Sequence, residues 1–261
     1  MPLKTLLTGL FLSVMCLVPP ALSQSAQNSR DELIALLGRL PEIAPIRNQL
    51  VAQGFQGEKL ALAEAHSKRV MTDELIAGYI ADRLIALYDG RLSAASATEG
   101  LIAPLYESGI THLPVKELVY YHKVQRVLLD GMTPRDCGLL VKGQLRPARM
   151  EDVIGRAEAR LSARTLKEFY RIQYKAMRLG VTRAPRQLSP AEAARIQTVI
   201  FEAVRKRVES ASNAKALSNT LENFERARNA TACEAAKVFA EAVLDITGRD
   251  QQKALLFLSA P

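Results

Sequence analysis

The stretch Ser189-Pro190-Ala191-Glu192-Ala193-Ala194-Arg195-Ile196-Gln197-Thr198-Val199-Ile200-Phe201-Glu202-Ala203-Val204 carries every signal of a helix start. Ser189 and Glu192 form a capping box, in which the hydroxyl and the carboxylate each satisfy a backbone N–H that no earlier turn can reach. Pro190 occupies the first helical position, where its missing donor costs nothing. Ala193, Ile196, Val199, Ile200, Ala203 and Val204 then recur at the period of one helix face.

Outward from this stretch the same punctuation repeats. Ser29-Arg30-Asp31-Glu32, Ser96-Ala97-Thr98-Glu99 and Thr231-Ala232-Cys233-Glu234 read as capping boxes, and Thr133-Pro134-Arg135-Asp136 is a close variant. Gly54, Gly90, Gly109, Gly131, Gly143, Gly180 and Gly248 each follow an apolar-periodic run, as glycines that end helices do. Helices are predicted near 29–39, 42–53, 58–70, 73–89, 96–108, 114–130, 134–142, 148–161, 163–179, 190–209, 213–228, 232–246 and 249–258, with some neighbours merging to leave about ten. In the helix from Asp73, a broad apolar face is predicted from Leu75, Ile76, Tyr79, Ile80, Leu84, Leu87 and Tyr88. No segment alternates with period two and β-branched residues, so strands are not expected. The fold class is all-α, a multi-helix globular array.

The N-terminus sets the compartment. Met1–Lys4 carries one positive charge, and the 14 residues from Thr5 to Val18 are almost wholly apolar. Pro19 and Pro20 follow, then Ala21-Leu22-Ser23 with small residues where a signal peptidase reads. The apolar run falls short of the roughly 20 residues a spanning helix needs. Residues 1–23 are therefore expected to be a secretory signal peptide, residues 24–28 a disordered tail, and 29–261 the mature helical domain. Within that domain, lobes of 29–131 and 132–261 could meet at Gly131-Met132-Thr133-Pro134. The mature protein is expected in the periplasm or outside the cell.

Cys16 leaves with the leader, so Cys137 and Cys233 remain. Two cysteines in an oxidising compartment predict one disulfide joining them. Closing a loop of roughly 100 residues stabilises by up to about 4–5 kcal/mol in the chain-entropy account.

Charge is the main functional hint. Residues 142–186 hold twelve basic and four acidic side chains, an excess of eight that equals the formal net charge of the whole chain, +8. Within that stretch Arg164, Lys167, Arg171, Lys175 and Arg178 are spaced by three, four, four and three, which places them on one helix face. Leu166, Phe169, Ile172, Ala176 and Leu179 form the opposite, buried side. Solvation is the ordinary role of a charged helix face. The alternative is contact with an acidic protein or an anionic envelope component such as lipopolysaccharide, lipid phosphate or cell-wall polymer. Nucleic acid is not expected, because an exported protein rarely meets it and no recognition motif accompanies the charge.

Residues that would carry chemistry are sparse. His66, His112 and His122 form no HExxH and lie at no metal spacing from a cysteine, so no cofactor or metal is expected. No Gly-x-Ser-x-Gly elbow or glycine-rich phosphate loop occurs. Glu107-Ser108 resembles the catalytic glutamate and following serine of lytic transglycosylases, which would make Glu107 a general acid toward a glycosidic bond. The glycine- and glutamine-bearing motif that follows in that family is replaced here by Ile110-Thr111-His112-Leu113-Pro114. The leading expectation is a non-enzymatic binding protein, and the alternative is a cell-wall-active enzyme using Glu107.

Overall fold

A computed structural model describes residues 26–89 and 101–259, and among them there is no strand. Thirteen α-helices are described: α1 (Ala26–Arg39), α2 (Ala44–Ala52), α3 (Gly57–Met71), α4 (Glu74–Tyr88), α5 (Ala103–Ile110), α6 (Val115–Asp130), α7 (Pro134–Val141), α8 (Pro147–Glu158), α9 (Ala163–Thr182), α10 (Pro190–Glu209), α11 (Ala214–Glu222), α12 (Asn229–Leu244) and α13 (Arg249–Ser259). Short 3₁₀ turns occupy Leu40–Glu42 and Phe224–Arg226. The all-α class is as expected, and the helices are slightly more numerous than the ten foreseen. The leader, the cap at Ser96 and the stop at Gly90 lie outside the described residues.

Caps start many of these helices where the sequence places them. At α10, Ser189 Oγ accepts from the Glu192 N–H at 3.3 Å, and the Ser189 N–H donates to Glu192 Oε2 at 3.3 Å. Thr133 Oγ1 accepts from the Asp136 N–H at 3.1 Å at the head of α7. Asp73 caps α4 by accepting from the Leu75 and Ile76 N–H groups, each at 3.1 Å. Such caps contribute about 1 kcal/mol each. Two expected caps differ. Helix α1 begins at Ala26, so Ser29 lies inside it. Helix α12 begins at Asn229, and Thr231 turns its hydroxyl back to the Arg228 carbonyl at 2.9 Å instead of capping. The apolar face predicted for α4 is also narrower: Ile76 and Ile80 are buried, whereas Leu75 and Tyr88 are exposed.

Two helices organise the packing. Helix α9 lies against α3, α4, α5 and α6, burying Leu166, Phe169, Ile172 and Ala176. Helix α12 lies against α6, α7, α10, α11 and α13. Because α6 touches both, the apolar core is continuous across residues 131–134.

Gly109 and Gly180 correct the sequence reading. Both were expected to end helices, yet both are helical and mark where α5 and α9 cross. A Cβ on Gly109 would sit 1.7 Å from the Ala176 carbonyl oxygen, and one on Gly180 would sit 1.8 Å from that of Leu105. Only hydrogen fits at this crossing, so the glycines serve close approach and not chain reversal. The loop that follows α9 is pinned to the end of α5. Ser108 donates to the Arg183 carbonyl at 2.7 Å, and the Arg186 N–H donates to Thr111 Oγ1 at 2.9 Å.

The expected disulfide is present. Cys137 of α7 and Cys233 of α12 are bonded, with Cα atoms 5.4 Å apart. Gly138, the next residue of α7, allows the approach, since a Cβ there would lie 2.1 Å from the Asn229 carbonyl oxygen.

Candidate binding groove

Helix α9 carries the basic stripe, and its neighbours divide that stripe into two parts. Toward its C-terminal end the cations are matched. Arg171 Nη2 bonds Glu117 Oε1 at 2.7 Å and Glu168 Oε1 at 2.8 Å. Lys175 Nζ reaches Glu117 Oε2 at 2.6 Å. Arg178 Nε lies 3.4 Å from Asp73 Oδ2, which also accepts from the Tyr174 hydroxyl at 2.6 Å. Burial raises the Glu117 carboxyl, but hydrogen bonds from Lys175 and Arg171 outweigh it, and the net shift is downward. The Glu168 and Glu117 carboxylates in turn raise the Arg171 guanidinium.

Toward the N-terminal end the cations are not matched. Arg164 and Lys167 are exposed and have no carboxylate partner among the described residues. They line an open groove of about 590 Å³ together with Arg171 and Glu168, which are bonded to each other. The facing wall is α3, which contributes Leu62, Ala65, His66 and Arg69, and Tyr120 of α6 also lines it. Leu62, Ala65 and Arg69 repeat the spacing of Arg164, Lys167 and Arg171, so two helix faces of equal period oppose one another. Arg69 also lacks a carboxylate partner among the described residues; its guanidinium lies 3.9 Å from the centre of the Tyr174 ring. That placement holds the side chain by a cation–π contact and leaves its positive charge uncompensated.

The floor of the groove is a stacked pair. The His66 and Tyr170 rings are parallel within 4°, with centroids 4.2 Å apart. Burial, with Arg69 close by, pushes the His66 imidazole down to about 3, so the ring is neutral at physiological pH. Beneath it the Tyr170 hydroxyl donates to Glu158 Oε2 at 3.2 Å. Burial raises the Glu158 carboxyl to about 7, with the Tyr170 hydrogen bond opposing. Below about pH 7 the floor thus adds little charge, and three cations of the lining, Arg69, Arg164 and Lys167, have no carboxylate partner among the described residues.

The remaining candidate residues lie elsewhere. Glu107 is half-buried on α5 and is not among the residues lining the groove. His112 Nε2 is 2.7 Å from the Ala184 carbonyl oxygen. His122 Nε2 is 3.0 Å from Ser259 Oγ beside a cavity of about 20 Å³, room for a water and no larger ligand.

The sequence located Arg164, Lys167 and Arg171 but not their partners across the groove. His66 and Arg69 lie about a hundred residues earlier, and only the packing of α3 on α9 brings them near. No family model, curated protein or solved structure matches the chain, so the site is read from its own residues.

Proposed function

We propose that this is an exported, non-enzymatic binding protein that takes an anionic partner into the groove between α3 and α9. The observation that carries the reading is the contrast within one stripe. Arg171, Lys175 and Arg178 are matched by Glu117, Glu168 and Asp73, whereas Arg164 and Lys167, joined by Arg69 from α3, have no carboxylate partner among the described residues and converge on a concavity whose lining carboxylate, Glu168, is already held by Arg171. A face that serves only solubility has no need to concentrate unmatched cations in a concave site. Low-dielectric walls around such a site focus its field and attract anions. The partner is an acidic protein or an anionic envelope component.

The test uses defined polyanions. Polyglutamate and vesicles containing phosphatidylglycerol are titrated with the wild type and with an R164E/K167E variant. Wild-type binding that weakens from 50 to about 200 mM salt, as screening requires, and is lost in the variant supports the reading. Equal binding by both proteins overturns it. Export is tested in parallel by fractionation and N-terminal sequencing. A chain beginning at Gln24 in the periplasmic or external fraction is expected, and an intact leader in the cytosol would contradict it.

A further inference from the structure

Resting on the anion-binding reading above, the geometry points to a narrower ligand class: we infer that the groove takes a small molecule in which a phosphomonoester is attached to an apolar or aromatic body.

Three observations narrow the class. The first is the number of charges. A carboxylate brings one negative charge and would leave two of Arg69, Arg164 and Lys167 unmatched. A phosphomonoester brings close to two at neutral pH, with three acceptor oxygens. Guanidinium groups arriving from two different helices can each present paired N–H donors to such a tetrahedral group, and Lys167 adds a point charge.

The second observation is the non-polar part of the lining. Leu62, Ala65 and Tyr120 share the groove with the cations, above the neutral His66–Tyr170 pair. The Tyr120 hydroxyl is already spent on the Thr165 carbonyl at 3.3 Å, so the ring is available as surface. An inorganic anion would leave this part of the groove unused.

The third is size and shape. A volume of about 590 Å³ falls within the roughly 300–1,000 Å³ of small-molecule sites. A membrane surface fits less well. Membrane-docking faces present protruding apolar side chains to the acyl region. The large hydrophobic residues most exposed among those described, such as Tyr88, Phe201 and Val51, lie outside the groove lining.

Calorimetric titration with phenyl phosphate, inorganic phosphate and benzoate tests the inference, at pH 7.5 and low salt. Phenyl phosphate is expected to bind about tenfold tighter than either fragment, because ring burial and a divalent charge each contribute. R69Q and R164Q are expected to weaken it about fivefold each, the scale of one partly exposed charge contact. These side chains are exposed, and circular dichroism with melting curves confirms that the variants fold. Equal affinity for inorganic and phenyl phosphate would overturn the claim of an apolar body. Tighter benzoate than phosphate binding would overturn the phosphate. If no soluble probe binds but polyglutamate binds through Arg164 and Lys167, the small-molecule inference fails while the broader reading stands. If phosphatidylglycerol vesicles bind and phenyl phosphate does not, the source is a lipid surface and the discrete ligand is refuted. If nothing binds, both readings fall.

Discussion

Replacing Glu158 by glutamine should stabilise the protein, and the gain should grow with pH. The carboxyl is buried, with only 4% of its surface exposed, and its main polar contact is the Tyr170 hydroxyl at 3.2 Å. Burial moves it from an ordinary value of 4.5 up to about 7. Between those two values the folded chain holds a proton that the unfolded chain has released. Folding stability therefore falls as pH rises through this window, and the loss is complete above it. The difference of about two and a half pH units corresponds to roughly 3 kcal/mol. Glutamine carries no charge at any pH and keeps an oxygen in place to accept from Tyr170. Urea unfolding of the wild type and E158Q should thus give nearly equal stabilities at pH 4.5, and an advantage to the variant approaching about 3 kcal/mol at pH 8. The histidines titrate in both proteins and cancel in the comparison. A difference that stays constant with pH, or a variant less stable at pH 8, would refute the assignment of a buried, protonated carboxyl beneath the groove.

His66 and His122 act on the acid side with the opposite sign. Their imidazoles are pushed down by burial to about 3 and about 4, so the unfolded chain binds protons first and stability is lost as pH falls below 6.5. H66F, which keeps a ring against Tyr170, should move the acid-unfolding midpoint to lower pH, and an unchanged midpoint would count against the neutral stack. Removing the disulfide with C137A/C233A should cost up to about 4–5 kcal/mol in urea unfolding, given a loop spanning 96 positions; a loss below about 1 kcal/mol would mean that the bridge constrains little. Adding a methyl at the helix crossing with G109A or G180A should cost about 3 kcal/mol or more, because each meets a backbone carbonyl and not a movable side chain. A neutral effect on melting temperature would contradict the close approach of α5 and α9.

Helix class and most helix positions were legible because caps and apolar spacing are local signals. Ser189, Thr133 and the run from Ala163 needed no tertiary knowledge. The misreadings at Gly109, Gly180 and Thr231 share one cause: a residue type with two uses. Glycine ends helices and also permits helices to touch, and only contact with α9 distinguishes Gly109 from Gly54, whose φ of 97° does mark a turn. Threonine caps a helix or bonds its own preceding turn, and Thr231 does the second. The basic stripe was legible as a face, but not its division. Glu117 and Asp73 lie on other elements, and the sequence holds no sign that they neutralise Arg171, Lys175 and Arg178 while Arg164 and Lys167 have no carboxylate partner among the described residues. His66 was visible only as an isolated histidine, since its stacking partner is 104 positions away.

The groove account and a simple charged-helix account differ on two residues. If the groove binds anions, Arg69 matters although it lies on α3, and Arg178 does not although it lies in the stripe. The deciding measurement is the affinity for polyglutamate of R69Q, R164Q and R178Q at fixed salt. The groove account predicts about fivefold weakening for the first two and less than about twofold for the third. Equal losses at Arg164 and Arg178, with Arg69 silent, would contradict it.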